Sequence, residues 1–142
     1  MRYRFLLAAM VCAALIAPEI LAAPTTYMVE MRDGVHLATD VYLPRQGDGP
    51  WPVMLGRTPY DKRSSSDLSF FTASGIAVVV QDVRGRYGSE GDAIPFIDDG
   101  WGPLQDGYDT VEWIRAREWC NGKVATIGAS AGDRKSVVRE RV

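Results

Sequence analysis

The chain has a single histidine, His36, and only two cysteines, Cys12 and Cys120, among 142 residues. So small a supply of imidazole and thiol builds no His/Cys cluster at metal-ligand spacing, and no metal site is expected. Cys12 lies in a segment expected to be removed. Cys120 is then read as a small buried apolar side chain with no disulfide partner. Excess positive charge is also missing, since 16 Lys and Arg stand against 18 Asp and Glu. That balance offers no basic face to nucleic acid and no polybasic patch to a membrane. A G-x-G-x-x-G fingerprint and a Walker G-K-[ST] are both absent. Gly85, Gly88 and Gly91 fall at G-x-x-G-x-x-G with no helix opening from the loop, so a nucleotide site is not expected, and no cofactor is expected. Internal repeats and low-complexity tracts are lacking as well.

What is present begins with Arg2 and Arg4, an apolar run from Phe5 to Ala17, and a break at Pro18-Glu19. Residues 1–22 are read as a secretory signal, with the mature chain secreted or periplasmic. The run is too short to span a bilayer, so no stable membrane insertion is expected after the signal is removed. Residues 25–32 and 35–43 read as two strands joined by Asp33-Gly34, a two-residue hairpin signal. In the second strand Val35, Leu37, Thr39, Val41 and Leu43 share one face, and His36, Ala38, Asp40 and Tyr42 the polar one. A short strand starts at Val53, and Ser64, Ser65 and Ser66 offer N-caps for a helix carrying Leu68, Phe70 and Phe71 that Gly75 closes. Ile76 to Val80 is apolar and β-branched almost throughout, as in a parallel strand covered on both faces. Asp106 to Arg117 has helical spacing, with Trp113 beside the apolar stripe. Asn121-Gly122 reads as a turn into one further strand, Val124 to Ile127. Strands alternating with helices after a leading antiparallel hairpin predict an α/β fold with a mostly parallel sheet.

That last strand runs into Gly128-Ala-Ser-Ala-Gly132, the G-x-S-x-G of a nucleophile elbow. A sharp strand-to-helix turn would lift the Ser130 hydroxyl clear of the sheet, and small residues two positions either side let strand and helix approach. The backbone N–H of Ala131 then points where an oxyanion would form. Ser130 needs a base and an acid to orient that base. His36, mid-hairpin and on an edge, reads as a solvated strand histidine. The chain order Ser, acid, His predicts both partners beyond residue 142. Tyr60 follows the strand begun at Val53, where its phenol could donate to an oxyanion over the elbow. By spacing alone, a packing tyrosine is the stronger reading.

Met31-Arg-Asp-Gly-Val-His-Leu-Ala-Thr-Asp-Val-Tyr-Leu-Pro44, Arg57-Thr-Pro-Tyr-Asp-Lys62, Val80-Gln-Asp-Val-Arg-Gly-Arg-Tyr-Gly-Ser-Glu-Gly91, Asp106-Gly-Tyr-Asp-Thr-Val-Glu-Trp-Ile114 and Trp119-Cys-Asn-Gly-Lys-Val-Ala-Thr-Ile-Gly-Ala-Ser130 resemble the X-prolyl dipeptidyl-peptidase and cocaine-esterase family of serine hydrolases. The resemblance implies the N-terminal portion of an α/β-hydrolase fold over residues 24–132, truncated after the elbow. It implies Ser130 as nucleophile, with Tyr60 and the Ala131 N–H forming the oxyanion hole. Substrates in such a family include amides after proline, cocaine-like esters, and α-amino acid esters or β-lactam side chains. A small molecule or peptide is therefore the expected partner, and oligomeric state is left open. Asp82, Asp98, Asp99 and Asp106 could face a substrate ammonium, although carboxylates near loops are usually solvated. Family members carry a glycine where Asp133 stands. Residues 133–142, six of them charged, are expected to be a tail not native to the fold. Two further readings stand beside the hydrolase: an inactive fragment lacking its acid and base, and a non-catalytic binding module using Trp101, Trp113 and Trp119.

Overall fold

A computed structural model describes residues 23–64, 68–93 and 102–128. The signal segment, Ser65, Ser66, Asp98, Asp99, Trp101, Ser130, Ala131 and the charged tail lie outside the described residues. The described chain forms β1 (Thr25–Glu30), β2 (His36–Tyr42), β3 (Trp51–Thr58), a 3-10 turn (Lys62–Ser64), α1 (Ser69–Ala73), β4 (Ala77–Asp82), α2 (Asp106–Arg115) and β5 (Cys120–Ile127). Its five strands make one sheet in the order β1-β2-β4-β3-β5. β1 pairs antiparallel with β2, and β2 with β4, while β3 runs parallel to both β4 and β5. The expected α/β sheet, mostly parallel after a leading antiparallel hairpin, is present as a mixed five-stranded sheet whose described pairings are antiparallel over β1, β2 and β4 and parallel over β4, β3 and β5. No helix among the described residues is long and apolar enough to cross a membrane.

The register explains how the face under α2 is filled. Val41, Val79 and Leu55 stand side by side across β2, β4 and β3. With Val53, Ala77 and Cys120 they form an apolar cluster closed by Ile114 of α2. Trp113 extends that cover to Val29, Met31 and Leu37 of the hairpin. Its indole meets Tyr27 edge-on at 5.3 Å and Trp119 at 6.4 Å, and the Arg117 guanidinium lies over its ring. The next row along the sheet is polar: Thr39, Gln81 and Arg57, paired by the same registers. Arg57 Nε donates to Gln81 Oε1, Gln81 Nε2 donates to Thr39 Oγ1, and Thr110 Oγ1 donates to Gln81 Oε1. A buried polar row is tolerated because its members satisfy one another.

Several local expectations need correction. The hairpin turn has three residues, not two: Gly34 N–H donates to Met31 O and Met31 N–H to Val35 O, with Gly34 at φ +83°. This is the longer hairpin loop in which the left-handed residue is a glycine. Ser64 ends the 3-10 turn instead of capping a helix, and α1 starts after Leu68 with no side-chain cap. Asn121-Gly122 is not a turn before β5 but a bulge within it. Trp51 and Val53 pair with Cys120 and Val124, so a two-residue step along β3 faces a four-residue step along β5. Cys120 is buried, as expected.

The largest correction concerns the face of β2 expected to be polar and solvated. Ala38 and Asp40 are buried there, because the chain after β4 and the turn after β3 fold over them. Ser89 Oγ donates to Asp82 O, and Ala38 N–H donates to Ser89 Oγ. A Cβ on Gly88 would lie 2.9 Å from Ala38 Cβ, so only glycine fits at this approach.

Candidate active site

Parallel pairing of β3 with β4 and β5 sends the carboxyl ends of all three to one end of the sheet. In open α/β sheets, ligands bind outside that end. Thr58 of β3 stands beside Asp82 of β4, and Gly56 beside Ile127 of β5. The chain leaving β3 reaches Tyr60, and the chain leaving β5 reaches Gly128, the first residue of the G-x-S-x-G sequence. Ser130 and Ala131 themselves lie outside the described residues.

Tyr60 is 57% exposed, which disagrees with a packing tyrosine. Its position depends on backbone anchors. Tyr60 N–H donates to Thr58 Oγ1 at 3.0 Å. Asp61 adopts φ +77°, a left-handed conformation that Asp tolerates better than most side chains. Its carboxylate accepts from the Arg63 N–H and guanidinium. Those bonds hold the Asp61 carboxyl below the usual carboxylate range. Lys62 N–H donates to Asp82 Oδ1 at 2.7 Å, and Lys62 Nζ lies 3.3 Å from Asp40 Oδ2.

The remaining candidates fall into two groups. His36 is on the same sheet end as Tyr60, because β2 runs antiparallel to β4, but β2 is an interior strand and not the edge. Three strand spacings, about 14 Å, separate it from β5. Its ring, 40% exposed, has Nδ1 3.2 Å from Glu90 Oε2. Glu90 also accepts from the His36 backbone N–H, and these bonds hold its carboxyl below the ordinary range. Asp82 and Asp106, expected to be solvated, are both buried. Asp82 accepts from Lys62 N–H and Gly88 N–H. Asp106 accepts two hydrogen bonds from Arg84, whose guanidinium also donates twice to Asp33. Neither carboxylate is left over for a substrate ammonium.

Arg84 is the residue that motif reading missed. It joins the hairpin turn, the loop after β4 and the first turn of α2. One turn later, Asp109 accepts from the Arg32 guanidinium and backbone. The sequences Arg32-Asp33-Gly34, Val83-Arg84-Gly85 and Asp106-Gly-Tyr-Asp109 are thus one docking unit. A signal existed in the paired acids of the first helical turn, which a helix N-terminus favours, but nothing local named their partners. Gly85, Gly88 and Gly91 serve this loop's own packing. Gly85 N–H donates to Glu90 O, and Glu90 N–H donates to His36 O. Among the described residues, no group of three or more His, Cys, Asp or Glu side chains is placed to hold a metal ion.

Comparison with known proteins agrees with this architecture. Residues 33–134 match the family model described as X-Pro dipeptidyl-peptidase (S15 family). A cocaine esterase from Rhodococcus sp. (strain MB1 Bresler) is 46% identical over 110 residues, covering 72% of this chain and 18% of that protein. A solved α-amino acid ester hydrolase is 31% identical with a TM-score of 0.66, over 89% of this chain and 25% of that one. A CocE/NonD family hydrolase from Staphylococcus aureus superposes with a TM-score of 0.68 at 25% identity, over 80% and 23% of the two chains. The chain spans about a fifth of the length of the curated relative it matches. By sequence match over residues 33–134, it belongs to the X-Pro dipeptidyl-peptidase (S15) family.

Proposed function

We propose that the full-length protein carrying this chain is a serine hydrolase that cleaves ester or amide bonds through an acyl-serine at Ser130. The observation that carries the reading is the parallel pairing of β3 and β5. It brings the exposed Tyr60 and the residue that opens the G-x-S-x-G sequence to one end of the sheet. Ser130 Oγ attacks the carbonyl carbon as a histidine takes its proton. The Tyr60 hydroxyl and the Ala131 N–H donate to the carbonyl oxygen as it becomes negative. Collapse expels the alcohol or amine, which receives that proton, and water then releases the acyl group by the same steps. Names among the relatives, cocaine esterase and α-amino acid ester hydrolase, support carboxylic esters as the first substrates to test. The basic start and apolar run of residues 1–22 support export of the enzyme.

A fluorophosphonate probe should label the full-length protein at Ser130, and Ser130→Ala should abolish labelling and turnover together. Tyr60→Phe should lower kcat by about 10²-fold or more, the usual cost of one oxyanion donor. An unchanged kcat removes that role from Tyr60.

The 142-residue polypeptide alone has a second reading, as an inactive fragment. Its single histidine, His36, has Nδ1 3.2 Å from Glu90 Oε2, three strands from β5, which supports a base supplied by other sequence. Residues 23–142 expressed alone should be poorly soluble and hydrolyse no activated ester. Hydrolysis that Ser130→Ala abolishes would overturn this.

A further inference from the structure

Tyr60 is more than half exposed, and the anchor described for it acts through its backbone N–H. The segment leaving β3 passes the end of β4, its Lys62 side chain reaches on to β2, and Tyr60 is exposed along it. Lys62 fastens the far side of that crossing. Its N–H donates to Asp82 Oδ1 on β4, and its ammonium meets Asp40 Oδ2 on β2. The Lys62 and Asp40 side chains are only 11% and 3% exposed, and Asp40 Oδ1 accepts from Thr26 Oγ1 at 2.6 Å on β1. A largely covered lysine side chain two residues from an exposed tyrosine, tied to a buried carboxylate that β1 also holds, sets where the crossing lies on the sheet. On the near side Tyr60 N–H returns to Thr58 Oγ1, and the left-handed Asp61 supplies the reversal between the two anchors.

We propose that Lys62 is a positioning residue: paired with buried Asp40, it fixes the Thr58–Lys62 crossing so that the Tyr60 hydroxyl meets the oxyanion. This rests on the oxyanion role proposed for Tyr60. Displacement of a catalytic group by about 1 Å can cost 10²-fold in rate. A backbone held at one end only therefore reduces turnover without altering substrate affinity.

The test is a double-mutant cycle in the full-length protein, with kcat expressed per fluorophosphonate-titrated Ser130. Lys62→Met should lower kcat about tenfold or more and leave KM within about twofold. In a Tyr60→Phe background the same substitution should change kcat by less than about twofold, because no phenol remains to be aimed. Asp40→Asn cuts the pair from the other side and should reproduce both results, and it decides the matter if Lys62→Met does not fold. An equal loss in both backgrounds makes the pair merely structural, and an unchanged kcat in the Tyr60-containing protein refutes positioning directly. If Tyr60→Phe itself has no effect, the oxyanion role falls and this inference with it, a result distinct from the other two.

Discussion

Arg84→Met tests whether the docking unit depends on one guanidinium. Arg84 donates from Nε and Nη2 to Asp106 at 2.9 and 2.7 Å, and from Nη1 and Nη2 to Asp33 at 2.8 and 3.0 Å. The two halves differ in burial. Asp106 is 7% exposed and Asp33 31% exposed, so water can solvate Asp33 once the arginine is gone but reaches Asp106 poorly. Removing one partner of a buried pair typically costs about 3–5 kcal/mol, whereas exposed pairs contribute about 0–1 kcal/mol. The expected loss is therefore about 3 kcal/mol, nearly all from Asp106. Asp106 opens α2, so the loss should appear first as local opening of that helix. At about 1.4 kcal/mol per decade, amides of Asp109 to Val111 should exchange with deuterium roughly 100-fold faster under opening-limited equilibrium conditions. Asp33→Asn should change those rates by less than about fivefold. Adding Asp106→Asn to Arg84→Met should recover at least half the protection, because no buried charge is then stranded. Exchange in Arg84→Met no faster than in Asp33→Asn would refute the division of energy between the two carboxylates.

Two further outcomes concern the same docking unit. Gly85→Ala should leave little folded protein by circular dichroism: Gly85 has φ +66°, and an added Cβ would collide with the backbone at Asp92 and Ala93, a clash that no side-chain rotation relieves. Asp33 is held below the usual carboxylate range, first by its hydrogen bonds from Arg84, so its folded pKa lies under its unfolded value. Its contribution to stability is then complete above the unfolded value of about 4 and fades as pH falls through the lower folded one. The difference in thermal midpoint between the native protein and Asp33→Asn should be constant from about pH 7 to about 5 and shrink below about 4. A difference that grows on acidification would contradict it.

Much of the sheet was legible from residue order, for physical reasons. A β-branched apolar run needs no partner to be recognised, and β4, found at Ala77–Asp82, is apolar on both faces until Gln81 and Asp82. Asp33-Gly34 marked the hairpin because a left-handed residue was needed. The strand entering Gly128 and the location of Tyr60 at a strand end were legible likewise. Burial of Asp40, Asp82 and Asp106 was not. Each is held by groups distant along the chain or in a later loop, Lys62, Gly88 and Arg84, and alternation within one strand carries no record of a loop that later covers it. The bulge at Asn121-Gly122 was hidden for a related reason. Asn and Gly favour a turn and a bulge alike, and only the pairing with Trp51 and Val53 separates them.

That bulge has a consequence of parity. Since it adds an even number of residues to β5, the up-and-down alternation of side chains is in the same phase on either side of it. Deleting Asn121 or Gly122 singly would leave an odd excess, which β5 must either carry as a one-residue bulge or relieve by turning Lys123 through Ile127 to the opposite face. Deleting both would restore the phase and shorten the strand without turning it over.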